Sequence, residues 1–207
     1  MVDVVTDTRM RIIEATRSRL LADGYAGLST RKVAEEAGVP LSQLHYHFGS
    51  KGGLIVALFT EENNRLLDRQ TRMYAQDRPL WQRFEQACDF LEDDLDSGYV
   101  RVLQELIAAG WSNPEIGDVV RDLLSRWYVL LAEVAREAER RFGSLGPFTP
   151  EEIATLVANA FIGSEALLLL GFERPVMPIR SALRRIGVLI RERERAAEAA
   201  AGPVVAG

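Results

Sequence analysis

Polar side chains that can read a base edge are concentrated in one short stretch, residues 41–48, with the sequence LSQLHYHF. Leu44 and Phe48 are four residues apart and would form the apolar side of a short helix, with the polar residues on or near the opposite side. Glutamine can pair bidentately with adenine, serine can contact a base or a phosphate, and histidine and tyrosine can contact phosphates or a thymine methyl group. The pattern predicts a surface for the major groove of DNA, made of Ser42, Gln43, His45, Tyr46 and His47.

A second helix and a tight turn precede this stretch. Ser29 is a favourable N-cap residue, and Val33 and Ala37 follow at the spacing of a buried helix face. Gly38 can adopt the positive φ that a tight turn between helices requires. Pro40 suits the first turn of the next helix. Together these signals predict a helix-turn-helix unit.

This unit resembles the DNA-binding domain of TetR-family bacterial transcriptional regulators, which ends in a pattern like L-Y-x-H-F-x-x-K. The corresponding segment here, from residue 44, reads LHYHFGSK. The resemblance implies a phosphate contact from Thr30, a base or phosphate contact from Arg31, and a further contact from Lys51 that completes the clamp. The sequence departs from the family pattern at His45, where tyrosine is usual, and at Pro40, where a small polar cap is usual.

The resemblance covers the whole chain and implies a larger helical ligand-binding and dimerisation domain after the DNA-binding domain. The sequence has no alternating β-branched stretches of the kind that form strands, so we expect an all-α protein of about nine helices. We assign residues 1–52 to a three-helix helix-turn-helix DNA-binding domain, residues 53–200 to the ligand-binding and dimerisation domain, and residues 201–207 to a flexible tail.

The function that the resemblance implies is ligand-responsive regulation of transcription. We expect a homodimer that binds a palindromic double-stranded operator, represses transcription, and is released by an unidentified, mainly apolar small molecule. A transcriptional activator is one alternative. Another is a helical protein-interaction module without DNA binding, although folding alone would not require Thr30, Arg31, Tyr46 and Lys51.

The predicted helices five to eight could surround a cavity for such a molecule. Aromatic residues at helical spacing belong to a core more often than to a pocket, so the alternative for each of these residues is a place in the core. An apolar wall would favour a mainly apolar ligand. The apolar candidates are Phe84, Cys88, Leu91, Trp111, Trp127 and Phe161, and the polar candidates are Gln104, Glu105, Asn159 and Glu165.

The eighth predicted helix carries more apolar surface than one neighbouring helix of the same chain would cover. The ninth shows the 4-3-4 spacing of a bundle seam, and the resemblance points to the same pair of helices as a four-helix bundle between two subunits. A monomer that buries both helices within itself is the alternative. The predicted interface comprises Leu156, Ala160, Leu167, Leu168, Ile179, Leu183, Ile186 and Ile190.

Composition argues against several other classes of function. The net charge is −5, but residues 1–53 carry seven Lys or Arg against six Asp or Glu, and affinity for DNA depends on local basic groups. The only histidines, His45 and His47, lie two residues apart and do not share a helix face. A single cysteine, Cys88, excludes an intrachain disulfide and a cysteine-based zinc site. We expect no catalytic site, metal or cofactor.

The N-terminal segment does not resemble a signal peptide, and we expect no apolar run of membrane-spanning length in the sequence. We therefore expect a cytoplasmic protein without a membrane partner.

Overall fold

The computed structural model describes residues 2–172, 175 and 177–201, which form nine α-helices. The expected all-α class is confirmed for this part of the chain. Of the predicted tail, residues 202–207 lie outside the described residues. The helices are α1 (Val2–Gly27), α2 (Thr30–Ala37), α3 (Leu41–Phe48), α4 (Lys51–Tyr74), α5 (Leu80–Asp96), α6 (Tyr99–Gly110), α7 (Pro114–Phe142), α8 (Pro150–Leu169) and α9 (Ile179–Ala201).

Two helix starts have side-chain caps. Asn113 Oδ1 accepts a hydrogen bond from the backbone N–H of Glu115 at 3.1 Å, at the start of α7. Thr149 and Glu152 form the reciprocal capping box that begins α8. Ser29 precedes α2 as predicted, but its side chain makes no capping hydrogen bond. The sequence therefore predicted where α2 begins, but the hydrogen bond expected from its N-cap side chain is not formed.

The nine helices divide into two units. Unit 1 comprises Met1–Leu66 and Ser97–Leu123, and unit 2 comprises Leu67–Asp96 and Leu124–Gly207. The predicted domain boundary divides the sequence once, between residues 52 and 53, whereas the contacts between residues assign two separate segments to unit 1. The difference arises because α6 packs on α1 inside unit 1.

Unit 1 is built around the helix-turn-helix. Its apolar core takes residues from α1, α2, α3, α4, α6 and α7. Gly24 interrupts α1 with non-helical angles (φ 68°, ψ 173°), three residues before the helix ends. The fully buried side chains of this core include Ile12, Leu20, Val33, Leu44, Leu54, Leu58, Phe59, Leu106 and Ile116.

Unit 2 is held together by α5, which packs against α9 and α8, and by buried ion pairs. Arg83 is only 2% exposed. Its guanidinium pairs with Glu137 of α7 at 2.5 Å and donates to the carbonyl oxygen of Tyr74 at the end of α4. The Arg83 hydrogen bond lowers the pKa of the Glu137 carboxyl. Because the buried Arg83 guanidinium has both a carboxylate and a carbonyl partner, these bonds connect α4, α5 and α7 within the unit.

Candidate nucleic-acid interface and ligand cavity

The turn between α2 and α3 has the geometry that the sequence predicts. Gly38 is left-handed (φ 64°, ψ 38°), and its N–H donates back to the end of α2. The guanidinium of Arg11, on α1, donates to the carbonyl oxygens of Ala37 and, at 3.2 Å, Gly38. A cation at the carboxyl end of a helix satisfies carbonyls that have no helical partner. Arg11 thus fixes the turn that sets the direction of α3.

α3 presents its polar residues outward. Leu44 is fully buried, while Ser42, Gln43 and His45 are exposed and His47 is half-buried. The Tyr46 ring is 84% exposed and lies edge-on to His47, with ring centroids 5.2 Å apart. The five residues predicted as readers of DNA therefore lie around one accessible side of α3. Their chemistry fits base edges and phosphates in a major groove.

His45 also has a local structural role. Its Nδ1 lies 3.0 Å from the carbonyl oxygen of Gly49, just beyond the end of α3. This contact orients the imidazole ring and leaves the other ring nitrogen for a second partner. His45 therefore contacts the turn that follows α3 as well as contributing to the polar surface of this helix.

Lys51 makes contacts within unit 1 that the sequence did not predict. Its Nζ donates to the carbonyl oxygen of Tyr25 at 2.7 Å and lies 4.6 Å from the centre of the Tyr25 ring. The N–H of Tyr25 donates to Glu105 Oε2 at 2.9 Å. An ammonium group has three donors, so Lys51 can still reach a phosphate. Its first role is to tie the start of α4 to the end of α1.

The start of α2 carries two exposed cations. Arg31 and Lys32 are exposed, and Thr30 is half-buried. Lys32 Nζ lies 3.3 Å from Asp23 Oδ2, whereas the structure gives Arg31 no side-chain partner within the described residues. Sequence reasoning did not select Lys32, although its place next to Arg31 at a helix start was visible.

Gly53 is a further residue that sequence reasoning missed. A Cβ atom on Gly53 would lie 2.2 Å from the carbonyl oxygen of Phe48, so α4 starts against the end of α3 at a distance that only glycine permits. The preceding Gly52 is different, because its Cβ would meet the flexible end of Glu115 at 3.1 Å. Two glycines in the first turn of a helix, where they weaken helix propensity, were the available signal.

Unit 2 contains a cavity of about 260 Å³ lined by residues of α4, α5, α7, α8 and α9 and by Leu145 between α7 and α8. Its lining is apolar except for Tyr74 and Arg193. Burial raises the pKa of the Tyr74 hydroxyl, which therefore stays neutral. The lining residues are Tyr74, Leu80, Phe84, Leu131, Val134, Ala135, Ala138, Phe142, Leu145, Ile153, Ala154, Val157, Ile186, Leu189, Ile190 and Arg193.

Of the residues predicted to form a ligand pocket, Phe84 lines this cavity. Cys88 and Leu91 are buried on the same helix, and burial raises the pKa of the Cys88 thiol to about 11. Glu165 is buried as well. Phe161 packs edge-on against Phe84, with ring centroids 6.0 Å apart. These residues form the core beside the cavity.

The other predicted pocket residues lie elsewhere. Trp127 donates from Nε1 to Gln70 Oε1 at 2.7 Å, and Asn159 Oδ1 accepts a hydrogen bond from the Tyr128 hydroxyl at 2.6 Å. Trp111 belongs to unit 1, where it is 83% exposed. Gln104 and Glu105 also belong to unit 1, and the Glu105 carboxylate is already bonded to Tyr25.

The predicted dimer interface divides into two groups. On α8, Leu156 is 53% exposed, and Ala160, Leu167 and Leu168 are half-buried. On α9, Ile179 and Leu183 are instead buried inside unit 2, and Ile186 and Ile190 line its cavity. The 4-3-4 pattern of α9 therefore faces the interior of the protomer, because α5 packs against that side.

α8 presents an apolar stripe with spacing 4-3-4-3 that contains a glycine. A Cβ atom on Gly163 would meet nothing within 4 Å, and Leu170, just after the helix, is 73% exposed. By length and composition alone, α8 is long and apolar enough to cross a membrane, with a mean hydropathy of 1.4. The expectation that the sequence contains no apolar run of this length was therefore wrong. The stripe consists of Leu156, Ala160, Gly163, Leu167 and Leu170.

Known bacterial regulators resemble this chain. Residues 12–58 match the family described as bacterial regulatory proteins, tetR family. An uncharacterized HTH-type transcriptional regulator of Mycobacterium tuberculosis is 26% identical over 161 residues, covering 76% of this chain and 80% of that protein. The HTH-type transcriptional repressor AcnR of Corynebacterium glutamicum is 32% identical over 66 residues, covering 32% of this chain and 35% of AcnR.

A solved structure shows the same fold over most of the chain. The transcriptional regulator FadR from Bacillus subtilis, in complex with stearoyl-CoA, superposes with a TM-score of 0.67 at 16% identity. The match covers 86% of this chain and 97% of the FadR chain.

Proposed function

Because the chain belongs to the tetR family of bacterial regulatory proteins, we propose that it is a ligand-responsive repressor. In this proposal it binds a palindromic operator as a homodimer in the cytoplasm and leaves the DNA when a small, mainly apolar molecule occupies unit 2. Members of the family are transcriptional regulators and not enzymes.

The observation that carries the DNA-binding part is the surface of α3. Burial of Leu44 fixes which side of the helix faces unit 1, and the Arg11 contacts fix the turn before it. The exposed side then holds a glutamine, a serine, a tyrosine and histidines, all of which can contact bases or phosphates. A helix held on a turn in this way fits the recognition helix of a helix-turn-helix protein.

The dimer is proposed from the apolar stripe of α8. A glycine in an exposed helix interior costs about 1 kcal/mol of helix propensity relative to alanine. The absence of a side chain at Gly163 would allow a second helix to approach α8 closely. A two-fold axis would present two α3 helices to successive major grooves, about 34 to 36 Å apart. Such a pair requires a palindromic operator.

Repression and ligand release are proposed by likeness. AcnR is named a repressor and matches this chain over 66 residues. FadR, which shares the fold, was solved with stearoyl-CoA. The cavity of unit 2 supports a ligand of mainly apolar character, because its wall offers few polar groups.

We expect Arg31→Ala to weaken binding to all DNA sequences similarly and to reduce the salt dependence of binding. Arg31 is exposed and has no side-chain partner within the described residues, so its guanidinium is available to a phosphate. Loss of one phosphate contact should reduce the slope of log K against log salt by about 1. Arg140→Ala removes the same charge from an exposed position in unit 2 and should leave the slope unchanged. Equal slopes for Arg31→Ala and the unaltered protein would remove Arg31 from the interface.

We expect Gln43→Ala to change base preference at one position in each half-site. A bidentate contact between glutamine and adenine contributes about 1 to 3 kcal/mol of discrimination, so the substitution should equalise affinities for the four bases at that position. The measurement is a set of binding constants for single-base variants of the selected operator. An unaltered preference would show that Gln43 does not read a base.

The proposed function as a whole is tested by selecting operator DNA from a random pool with the full chain, followed by a reporter assay with the recovered sequence upstream of a promoter. We expect a palindrome and reduced transcription. Recovery of no sequence at all would favour a helical protein-interaction module, and increased transcription would favour an activator.

A further inference from the structure

The cavity of unit 2 indicates the chemical class of its ligand. Its wall comes from five helices and presents aliphatic or aromatic surface almost throughout. A polar group placed against that surface would lose its hydrogen bonds to water without replacement. The part of the ligand inside the cavity must therefore be hydrocarbon.

The volume limits the size of that hydrocarbon. A cavity of about 150 Å³ lined by apolar side chains holds benzene. By the same ratio, a cavity of about 260 Å³ accommodates about ten carbon atoms. This is smaller than the pockets of about 300 to 1,000 Å³ that enclose drug-sized molecules.

Arg193 is the one charged residue among those that line the cavity, and because almost none of the lining surface is polar, its aliphatic stem forms that part of the wall. Its guanidinium is exposed and donates to the carbonyl oxygen of Ser144 at 2.6 Å, which leaves most of its five N–H donors available. The neighbouring Glu194 does not neutralise it, because Glu194 is buried and accepts hydrogen bonds from Arg141 and from the Leu80 N–H, both at 3.2 Å. Arg193 therefore offers a site for an anion at the edge of the cavity.

We propose that the ligand of unit 2 is an apolar monocarboxylate of about ten carbons, with its hydrocarbon part in the cavity and its carboxylate on Arg193. An arginine fork matches a carboxylate bidentately, and the leucine Leu189 beside it, 61% exposed, marks where the cavity meets solvent. The proposal gives a chemical class to the effector of the proposed function and rests on that function only for the claim that binding releases DNA.

The test uses calorimetric titration of the full chain with decanoate, below its critical micelle concentration. We expect saturable binding with a negative heat-capacity change, the signature of apolar burial. In a series from hexanoate to hexadecanoate, affinity should rise about fourfold for each added methylene and then level off near ten carbons. A rise that continues to hexadecanoate would overturn the assignment to this cavity, and so would an absence of binding throughout the series.

Two variants separate the head group from the tail. Arg193→Gln should weaken decanoate binding about tenfold, whereas Arg195→Gln, two residues further along α9 and outside the lining, should leave it unchanged. Ala138→Phe fills the cavity and should abolish binding, and Ala138→Leu, a smaller change, should shift the preferred chain length downward. Decyltrimethylammonium, with the opposite charge, should not bind. Equal affinity for Arg193→Gln, or binding of the ammonium compound, would overturn the role of Arg193.

Operator binding measured in the same samples keeps the two proposals apart. Decanoate that binds with the expected chain-length and Arg193 dependence supports the ligand class even where DNA stays bound, and only ligand release then fails. Intact operator binding without any decanoate binding overturns the ligand class and leaves DNA recognition in place. Dissociation of the dimer by Arg193→Gln, without decanoate binding to the unaltered protein, would assign Arg193 to a subunit contact instead.

Discussion

Gly53→Ala should abolish specific DNA binding. The added Cβ would lie 2.2 Å from the carbonyl oxygen of Phe48, and because this oxygen belongs to the backbone, either α3 or α4 must move. Overpacking of this kind costs about 1 to 3 kcal/mol or more, and any movement displaces the side chains that α3 presents to DNA. The measurements are operator affinity by gel shift and thermal unfolding by circular dichroism.

Gly52→Ala is the matched control. Its Cβ would meet the carboxylate of Glu115 at 3.1 Å, and a flexible side chain can give way by the small distance required. Alanine also has a helix propensity about 1 kcal/mol better than glycine. We therefore expect unchanged DNA binding and a melting temperature equal to or above that of the unaltered protein. Similar losses in both variants would show that the first turn of α4, and not the approach to Phe48, is sensitive.

The second large effect concerns the subunit interface. Leu156→Glu combined with Gly163→Glu should convert the proposed dimer into a monomer, because two carboxylates per subunit would lose water without gaining partners. Both substitutions can be accommodated within the protomer, since Leu156 is 53% exposed and a Cβ atom on Gly163 would meet no other atom within 4 Å. The variant should therefore fold, and operator affinity should fall by about 10² to 10⁴ with the loss of the second half-site.

Light scattering gives the oligomeric state, and Val129→Glu is the control. Val129 lies on α7, outside the stripe, and is 61% exposed, so this substitution adds the same charge to an apolar surface residue. We expect the control to remain a dimer. A double variant that also remains a dimer would place the interface away from α8.

The sequence predicted the helix-turn-helix well because its signals are local. The spacing of Leu44 and Phe48, the left-handed Gly38 and the capping residues each act within one or two turns of helix. The side of α9 that packs within the protomer was harder to predict, since α9 carries apolar residues on more than one side. Leu183 and Leu189 both look suitable in the sequence, but packing of α5 buries the first and leaves the second exposed.

The cavity was hidden from sequence reasoning for a related reason. Ala135 and Ala154 line it, yet alanine at helical spacing reads as ordinary core. A cavity forms where side chains from several helices leave a space unfilled, so the sequence pattern of one helix does not reveal it. The contact of Lys51 could not be predicted from local sequence either, because its hydrogen bond to the carbonyl oxygen of Tyr25 joins residues 26 positions apart.

Unit 1 is assembled from two stretches of chain separated by 30 residues of unit 2. Leu106 and Ile116 are buried in it, and Glu105 holds the backbone of Tyr25 from 80 residues away. On the ribosome, the helix-turn-helix can fold but cannot complete its core until residues up to about 123 have emerged. A chimaera that transfers only the first 52 or 66 residues to another regulator would expose the apolar surface that residues 97–123 cover. To transfer the DNA-binding specificity of this protein, both segments of unit 1 must be transferred together.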